Sequence, residues 1–231
     1  MPSPLTAKIA SLQFLGQPPY NQSMFISFEG PEGSGKTLQI AALAEFLQGA
    51  GYPVLATREP GGTGIGDQVR EILLDMENTA MQARTEILLF QASRAQLVEE
   101  VILPHLAKGD IVLSDRYADS TIAYQGYGHQ VNLEQLKNIV TFATGGLKPE
   151  LSLLLDIDVE EGLRRKLGGE EWNRLDAYEL DFHQRVRQGF HQMVAAEPER
   201  WVVVNAAKSR SEVQAEIRQS VLERLGEPSN V

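Results

Sequence analysis

Residues 24–37 read MFISFEGPEGSGKT, a short apolar stretch that runs directly into the pattern GxxxxGK[ST]. This pattern is typical of a phosphate-cradling loop between a strand and a helix. Glycines let the backbone turn so tightly that its N–H groups converge on phosphate oxygens. Lys36 follows at the first turn of the next helix, where its ammonium group and the positive helix end act on the same anion. The stretch therefore predicts a site for a polyphosphate.

The loop itself supplies most of the expected contacts to a nucleoside triphosphate. Thr37 adds a hydroxyl group suited to Mg²⁺, the cation that accompanies such phosphates. Glu32 is unusual because a carboxylate beside phosphates is electrostatically costly. The predicted triphosphate-binding residues are Gly30, Pro31, Glu32, Gly33, Ser34, Gly35, Lys36 and Thr37.

Size, charge and composition narrow the class of protein. The chain has 231 residues, a formal net charge of −10 and no cysteine. An acidic chain argues against nucleic acid or an anionic membrane as partner, and the absence of cysteine excludes disulfides and thiolate chemistry. No apolar run is long enough to span a membrane, and residues 1–23 lack a secretory signal, so we expect a cytoplasmic protein.

Short apolar strands alternate with helical stretches from residue 24 onward, which predicts a parallel sheet with helices on both faces. The predicted strands are 24–29, 53–57, 110–114, 151–157 and 201–205. The predicted helices are 37–49, 82–108, 132–144, 176–196 and 209–225. Because no linker interrupts this order, we expect one domain over 24–231, preceded by a flexible extension at 1–23.

Three further clusters lie where the strands end, which is the ligand side of such a sheet. They are TREPGGT at 57–63, LFQASR at 89–94 and DRYADSTIAYQG at 115–126. Phe90 and Arg94 are four residues apart and therefore share a helix face. They could sandwich and hydrogen-bond a base, or they could be an ordinary core phenylalanine beside a surface arginine.

Taken together, these segments resemble the thymidylate kinase family of P-loop nucleoside monophosphate kinases. The resemblance extends from Phe25 to the final helix and implies a P-loop NTPase fold with a five-stranded parallel sheet. It also implies a homodimer with Mg²⁺ as cofactor. The implied reaction transfers the γ-phosphoryl group of ATP to dTMP, giving dTDP and ADP for dTTP synthesis.

The chemistry of this reaction is consistent with the residues present. A monophosphate has a second pKa near 6, so its attacking oxygen is already deprotonated at neutral pH and needs no general base. Catalysis then depends on holding two anions in line and neutralising their repulsion. The resemblance implies Thr37 and Asp115 at the metal, and Lys36, Arg116, Arg165 and Arg174 as catalytic cations.

The resemblance also implies a pocket for the base and the sugar. Phe90 would stack on thymine, and Arg94 would donate to its O4 acceptor, where cytosine presents a donor. Tyr124 would crowd a ribose 2′-hydroxyl, and Glu32 would face the sugar 3′-hydroxyl. The expected dTMP-binding residues are Glu32, Glu59, Arg70, Phe90, Arg94, Arg116, Thr121, Tyr124 and Gln125.

Residues 160–176 match the place of a mobile lid over ATP. Since residues 30–36 contain no arginine, the lid must supply one. Arg165 and Arg174 are the candidates, ahead of Arg164 and Lys166, although a solvated helix end is an equal alternative for any one of them. Many relatives have Asp-Arg where this chain has Asn173-Arg174.

Other classes of function are weaker alternatives. A different nucleoside monophosphate kinase would have the same ATP half and another base pocket. A GTP-dependent switch would require a guanine-reading stretch such as N-K-x-D, which the chain does not contain. A nucleotide-binding relic without turnover is disfavoured because Lys36, Thr37, Asp115 and Arg116 are all present.

Overall fold

The computed structural model describes residues 23–169 and 172–226. Within them, five parallel strands form one sheet in the order β2-β3-β1-β4-β5. The strands are β1 (Met24–Glu29), β2 (Val54–Arg58), β3 (Ile111–Asp115), β4 (Leu151–Asp156) and β5 (Trp201–Asn205). The predicted α/β class and all five strands are confirmed, each within one residue of its expected start or end.

Helices connect the strands. They are α1 (Lys36–Gly49), α2 (Gly64–Leu74), α3 (Ala83–Leu97), α4 (Leu103–Ala107), α5 (Ala118–Thr121), α6 (Leu133–Thr144), α7 (Val159–Gly169), α8 (Leu180–Ala196) and α9 (Arg210–Leu225). A π-helical turn at Val98–Ile102 joins α3 to α4, and a second at Ile122–Gly128 follows α5. The expected helix 82–108 is therefore one helical segment with a π turn inside it.

Two predictions about helices need correction. The helix expected from residue 176 begins at Leu180, because residues 172–179 form turns. Helices α2, α5 and α7 were not among the predicted ones. Residues 1–22 and 170–171 lie outside the described residues, so the predicted extension and the middle of the predicted lid are not described.

The core lies on both faces of the sheet, as the continuous apolar sequence of β1 requires. Ile26 and Phe28 point toward α1 and α9, whereas Phe25 packs on the opposite face with Val112. Because β1 is the central strand, the loop that follows it opens at the carboxyl edge between β3 and β4. This topology brings the predicted site segments to one edge.

Candidate active site

The phosphate-binding loop folds around the ammonium group of Lys36. Lys36 Nζ donates to the carbonyl oxygens of Gly30 and Pro31 at 3.1 and 2.9 Å and to Ser34 Oγ at 3.1 Å. Burial and the neighbouring Arg116 lower its pKa to about 8, although Glu32 and Asp115 oppose that change. Lys36 is thus a buried amine, and an anion bound beside it would stabilise the protonated, charged form.

Gly33 lies at a point of this loop where the neighbouring backbone leaves no room for a side chain. Gly33 has a φ of +67°, and a Cβ placed on it would collide with the carbonyl oxygen of Gly162 in α7. The loop therefore lies directly against the helix that begins the predicted lid.

The two predicted metal ligands meet. Thr37 Oγ1, in the first turn of α1, donates to Asp115 Oδ2 at 2.6 Å, at the end of β3. A hydroxyl and a carboxylate oxygen are ligands that suit Mg²⁺, which commonly binds one or two protein groups together with substrate phosphates and water. Among the described residues no cluster of three or more His, Cys, Asp or Glu could hold a metal ion by itself. The donor set therefore fits a metal shared with a nucleotide.

Arg116 contacts both the phosphate-binding loop and the residues expected around the second substrate. Its φ of 68° lies in the left-handed region, and its backbone N–H donates to Phe28 O at 2.9 Å. Its guanidinium donates to Gly30 O at 3.2 Å and to Glu32 Oε1 at 2.7 Å. The Tyr124 hydroxyl donates to the same carboxylate oxygen at 2.7 Å. Glu32 therefore has cationic and hydroxyl partners within the protein.

These partners determine the charge of Glu32. Burial alone would raise its pKa, but Arg116, Lys36 and the Tyr124 hydroxyl outweigh that effect and lower it to about 2. Burial acts against the charged form of Arg116 too and would lower its pKa, but Glu32 and other nearby acidic groups raise it. Both side chains are charged at neutral pH.

Arg94 lies inside the protein, 1 % exposed, and not at its surface. Its guanidinium binds both carboxylate oxygens of Glu59, with a shortest N–O distance of 2.5 Å. It also donates to Gln91 Oε1, Thr121 Oγ1 and Tyr117 O at 2.8, 2.9 and 3.0 Å. Every N–H of this guanidinium has a protein acceptor, so Arg94 holds the pocket wall together and could read thymine only by sharing one of these bonds.

One cleft of about 670 Å³ collects most of the predicted side chains. The predicted residues that line it are Glu32, Gly33, Gly35, Lys36, Thr37, Glu59, Arg70, Phe90, Arg94, Asp115, Arg116, Thr121, Tyr124 and Gln125. Residues from the phosphate-binding loop and residues from the expected base pocket thus share a single cavity. Gly30, Pro31 and Ser34 do not line it, but Lys36 binds each of them.

Comparisons with known proteins agree with this arrangement. Residues 28–217 match the family model described as thymidylate kinase. The chain belongs to the thymidylate kinase family. It is 50 % identical over 228 residues to the thymidylate kinase of Herpetosiphon aurantiacus, covering 88 % of this chain and 97 % of that protein. It is 54 % identical to that of Roseiflexus castenholzii, covering 81 % and 87 %.

A solved structure gives the same result for the fold. The crystal structure of thymidylate kinase from Ehrlichia chaffeensis is 32 % identical, with a TM-score of 0.70, and the match covers 87 % of this chain and 99 % of that chain. The expected P-loop NTPase fold of this family is therefore confirmed.

The lid is the region where this family member differs most from expectation. Arg165 donates to Glu161 Oε1 at 2.9 Å and to Ala206 O at 3.0 Å, and it does not line the cleft. Lys166, which the sequence ranks lower, does line it and lies 3.8 Å from Asp176. Arg174 is buried and donates to Glu86 Oε2 at 2.6 Å. A catalytic role for Arg174 stays a prediction, and it requires the guanidinium to leave Glu86.

Sequence reasoning missed Glu86, which is 1 % exposed and lies on α3 one helical turn before Phe90. Gln125 Nε2 donates to its Oε1 at 2.9 Å, while Arg174 and the Tyr178 hydroxyl donate to its Oε2. Burial would raise the pKa of Glu86, but hydrogen bonds from His129, Gln125 and Arg174 lower it to about 2. The four-residue spacing of Glu86, Phe90 and Arg94 was the available signal, since it places all three on one helix face.

Proposed function

We propose that the protein transfers the γ-phosphoryl group of ATP to dTMP, giving dTDP and ADP, as a step of dTTP synthesis. The observation that carries the proposal is the position of Arg116 between the two halves of one cleft. Its guanidinium touches both Gly30 O and Glu32. An arginine there can neutralise charge on donor and acceptor phosphates together, which is the main task in phosphoryl transfer.

In the ATP half, the loop amides and Lys36 would hold the β- and γ-phosphates. Thr37 and Asp115 would hold Mg²⁺, which when bound would neutralise charge on the phosphate oxygens. Lys36 lies within reach of the loop carbonyls and would exchange those contacts for the nucleotide's phosphates. Removing Mg²⁺ with EDTA should therefore abolish turnover.

In the dTMP half, Phe90 would stack on the thymine ring, and Arg70 and Arg116 would bind the monophosphate. Arg70 also donates to Pro60 O at 3.0 Å, which fixes it near the loop that follows β2. Thr121 and Gln125 would meet the polar edge of the base, with Glu32 and Tyr124 beside the sugar. Glu59 would act through its ion pair with Arg94.

The lid would complete the site over ATP. Arg165 and Arg174 remain the proposed lid arginines, Arg174 after its guanidinium leaves Glu86, and Lys166 is added because it already lines the cleft. Arg165 and Lys166 are on α7, which contacts the phosphate-binding loop through Gly162.

The proposal includes a cytoplasmic homodimer with no nucleic-acid or membrane partner. Helix α2 packs on α3, and α3 packs on α6. Each of these helices exposes a large apolar side chain: Ile65 is 55 %, Leu88 is 59 % and Phe142 is 89 % exposed. Leu88→Glu should shift the mass measured by light scattering from two chains to one.

No helix among the described residues is long and apolar enough to cross a membrane.

The deciding experiment measures ADP release with dTMP, dUMP, dCMP and dGMP as alternative acceptors. We expect dTMP to be the best acceptor, with dUMP close behind because a buried methyl group contributes only about 0.8 kcal/mol. Lys36→Ala should abolish ADP release with every acceptor. Preference for another monophosphate would replace dTMP in the proposal. If none of the four acceptors increased ADP release, the proposal would be overturned.

A further inference from the structure

Glu86 is more than a structural carboxylate, because one of its partners faces the substrate cleft. Its Oε1 accepts from Gln125 Nε2 at 2.9 Å, and Gln125 is a cleft-lining residue that is only 2 % exposed. An ionised carboxylate can only accept hydrogen bonds, so the group facing it must be the NH₂ end of the Gln125 amide. The bond thus fixes which way the amide points.

We propose that Glu86 is a positioning residue for base selection, which orients Gln125 so that its carbonyl oxygen is offered to the base. The inference rests on the proposed function, since it assigns a specificity role within the dTMP half of the same site. Thymine carries an N–H at ring position 3, which an acceptor satisfies. Cytosine carries an unprotonated nitrogen there, which an acceptor repels.

The hydroxyl group of the neighbouring Thr121 is oriented as a hydrogen-bond donor, whereas Gln125 offers an acceptor. Its hydroxyl oxygen accepts from Arg94 at 2.9 Å and from Gln91 Nε2 at 3.2 Å. A hydroxyl has two acceptor sites and one proton, so the proton is what Thr121 has left to donate. A donor from Thr121 beside an acceptor from Gln125 matches a carbonyl oxygen next to an N–H, which is the pattern of thymine and not of cytosine.

The other partners of Glu86 explain why the carboxylate must be charged. Arg174 Nη2 and the Tyr178 hydroxyl donate to Oε2 at 2.6 and 3.0 Å, and His129 Nε2 lies 3.2 Å from Oε1. In Glu86→Gln, the new NH₂ group would be repelled by Arg174 and would turn toward Gln125 and His129. Gln125 would then rotate its amide and present NH₂ to the base.

The test compares kcat/KM for dTMP and for dCMP on the same preparation of each variant, so that the ratio does not depend on the folded fraction. We expect Glu86→Gln to lower the dTMP/dCMP preference about tenfold or more, the size of effect that one reversed hydrogen bond can produce. Glu99→Gln, an exposed residue beyond the end of α3, is the matched control and should leave the ratio unchanged.

Gln125→Ala separates positioning from a merely structural role. If Glu86 acts through Gln125, then Glu86→Gln should no longer change the ratio in a Gln125→Ala background. Where dCMP turnover is too slow, inhibition constants of dCMP against dTMP give the same ratio. An unchanged ratio in Glu86→Gln, or an equal change with and without Gln125, would overturn the inference. Failure of the wild-type chain to use dTMP would instead overturn the proposed function.

Discussion

The pair of Arg94 and Glu59 shows how much of the pocket depends on one residue. Both side chains are almost completely buried, 1 % and 3 % exposed, and the arginine also binds Gln91 and Thr121. Removing one partner of a buried ion pair leaves an uncompensated charge and costs about 3–5 kcal/mol of stability. Sequence reasoning identified Arg94 as a base-reading residue, but its partner Glu59 is 35 positions away and no local pattern joins them.

Arg94→Ala should raise the KM for dTMP at least tenfold, because Thr121 and Gln91 lose the group that holds them beside the base. Initial-rate kinetics at saturating ATP measure this, and KM does not depend on the folded fraction. Arg84→Ala, an exposed position on the same helix, should leave the KM unchanged. An unchanged KM for dTMP in Arg94→Ala would remove Arg94 from the base pocket.

At the scale of elements, α7 and the turns after it decide how the lid works. Lys166 lines the cleft, whereas Arg164 is exposed and pairs with Glu161 at 2.5 Å. Lys166→Ala should therefore lower kcat more than it changes KM, because the proposed contact is made to the phosphoryl group in transfer. Arg165→Ala should have the same effect, since the proposed lid role moves its guanidinium from Glu161 and Ala206 O into the cleft. Arg164→Ala is the matched control. Wild-type kcat in both Lys166→Ala and Arg165→Ala would contradict the role of α7.

The strands were predictable from their short apolar runs, whereas helix α2 and the π-helical turn that follows α5 were not. The five strands follow from short apolar runs such as MFISFE at 24–29, which is buried along its whole length. Helix α2 was missed because glycines at 64 and 66 in its first turn lower its intrinsic helix propensity, and the Thr63 side chain that caps it accepts from Gly66 N. The π-helical turn at Ile122–Gly128 depends on tertiary packing, since a Cβ on Gly128 would collide with Phe182.

The site was predictable where its residues lie in a motif. Lys36, Thr37 and Asp115 follow from strand ends and a glycine-rich loop. The network of Glu86 with Gln125 and Arg174 joins residues 39 and 88 positions apart, which only the folded chain brings together. Position in the sequence suggested a lid role for Arg174, but burial against α3 determined its contacts.

For the whole molecule, Glu29 at the end of the central strand links folding to pH. It is fully buried and accepts from Tyr117 N and Ser120 Oγ. Burial and the nearby Asp119 raise its pKa from 4.5 to about 8. An acid whose pKa is raised by folding binds its proton more tightly in the folded state, so its contribution to stability is complete below pH 4.5 and is lost as pH rises through about 8.

Glu29→Gln cannot ionise, so this contribution should no longer vary with pH in the variant. We expect the free energy of unfolding of the wild-type chain, relative to the variant, to fall by about 1.4 kcal/mol for each pH unit between pH 5 and pH 8. Urea denaturation at several pH values measures both proteins. If the free energies of unfolding of the two proteins changed in parallel with pH, the raised pKa of Glu29 would be contradicted.

In the whole molecule, one cleft should hold ATP and dTMP with their phosphates facing each other across Arg116. A crystal structure with dTMP, Mg²⁺ and a non-hydrolysable ATP analogue would show this arrangement. We expect thymine stacked on Phe90, the monophosphate beside Arg116, and the γ-phosphate at Lys36. Thymidine bound elsewhere, out of reach of the terminal phosphate of the ATP analogue, would contradict it.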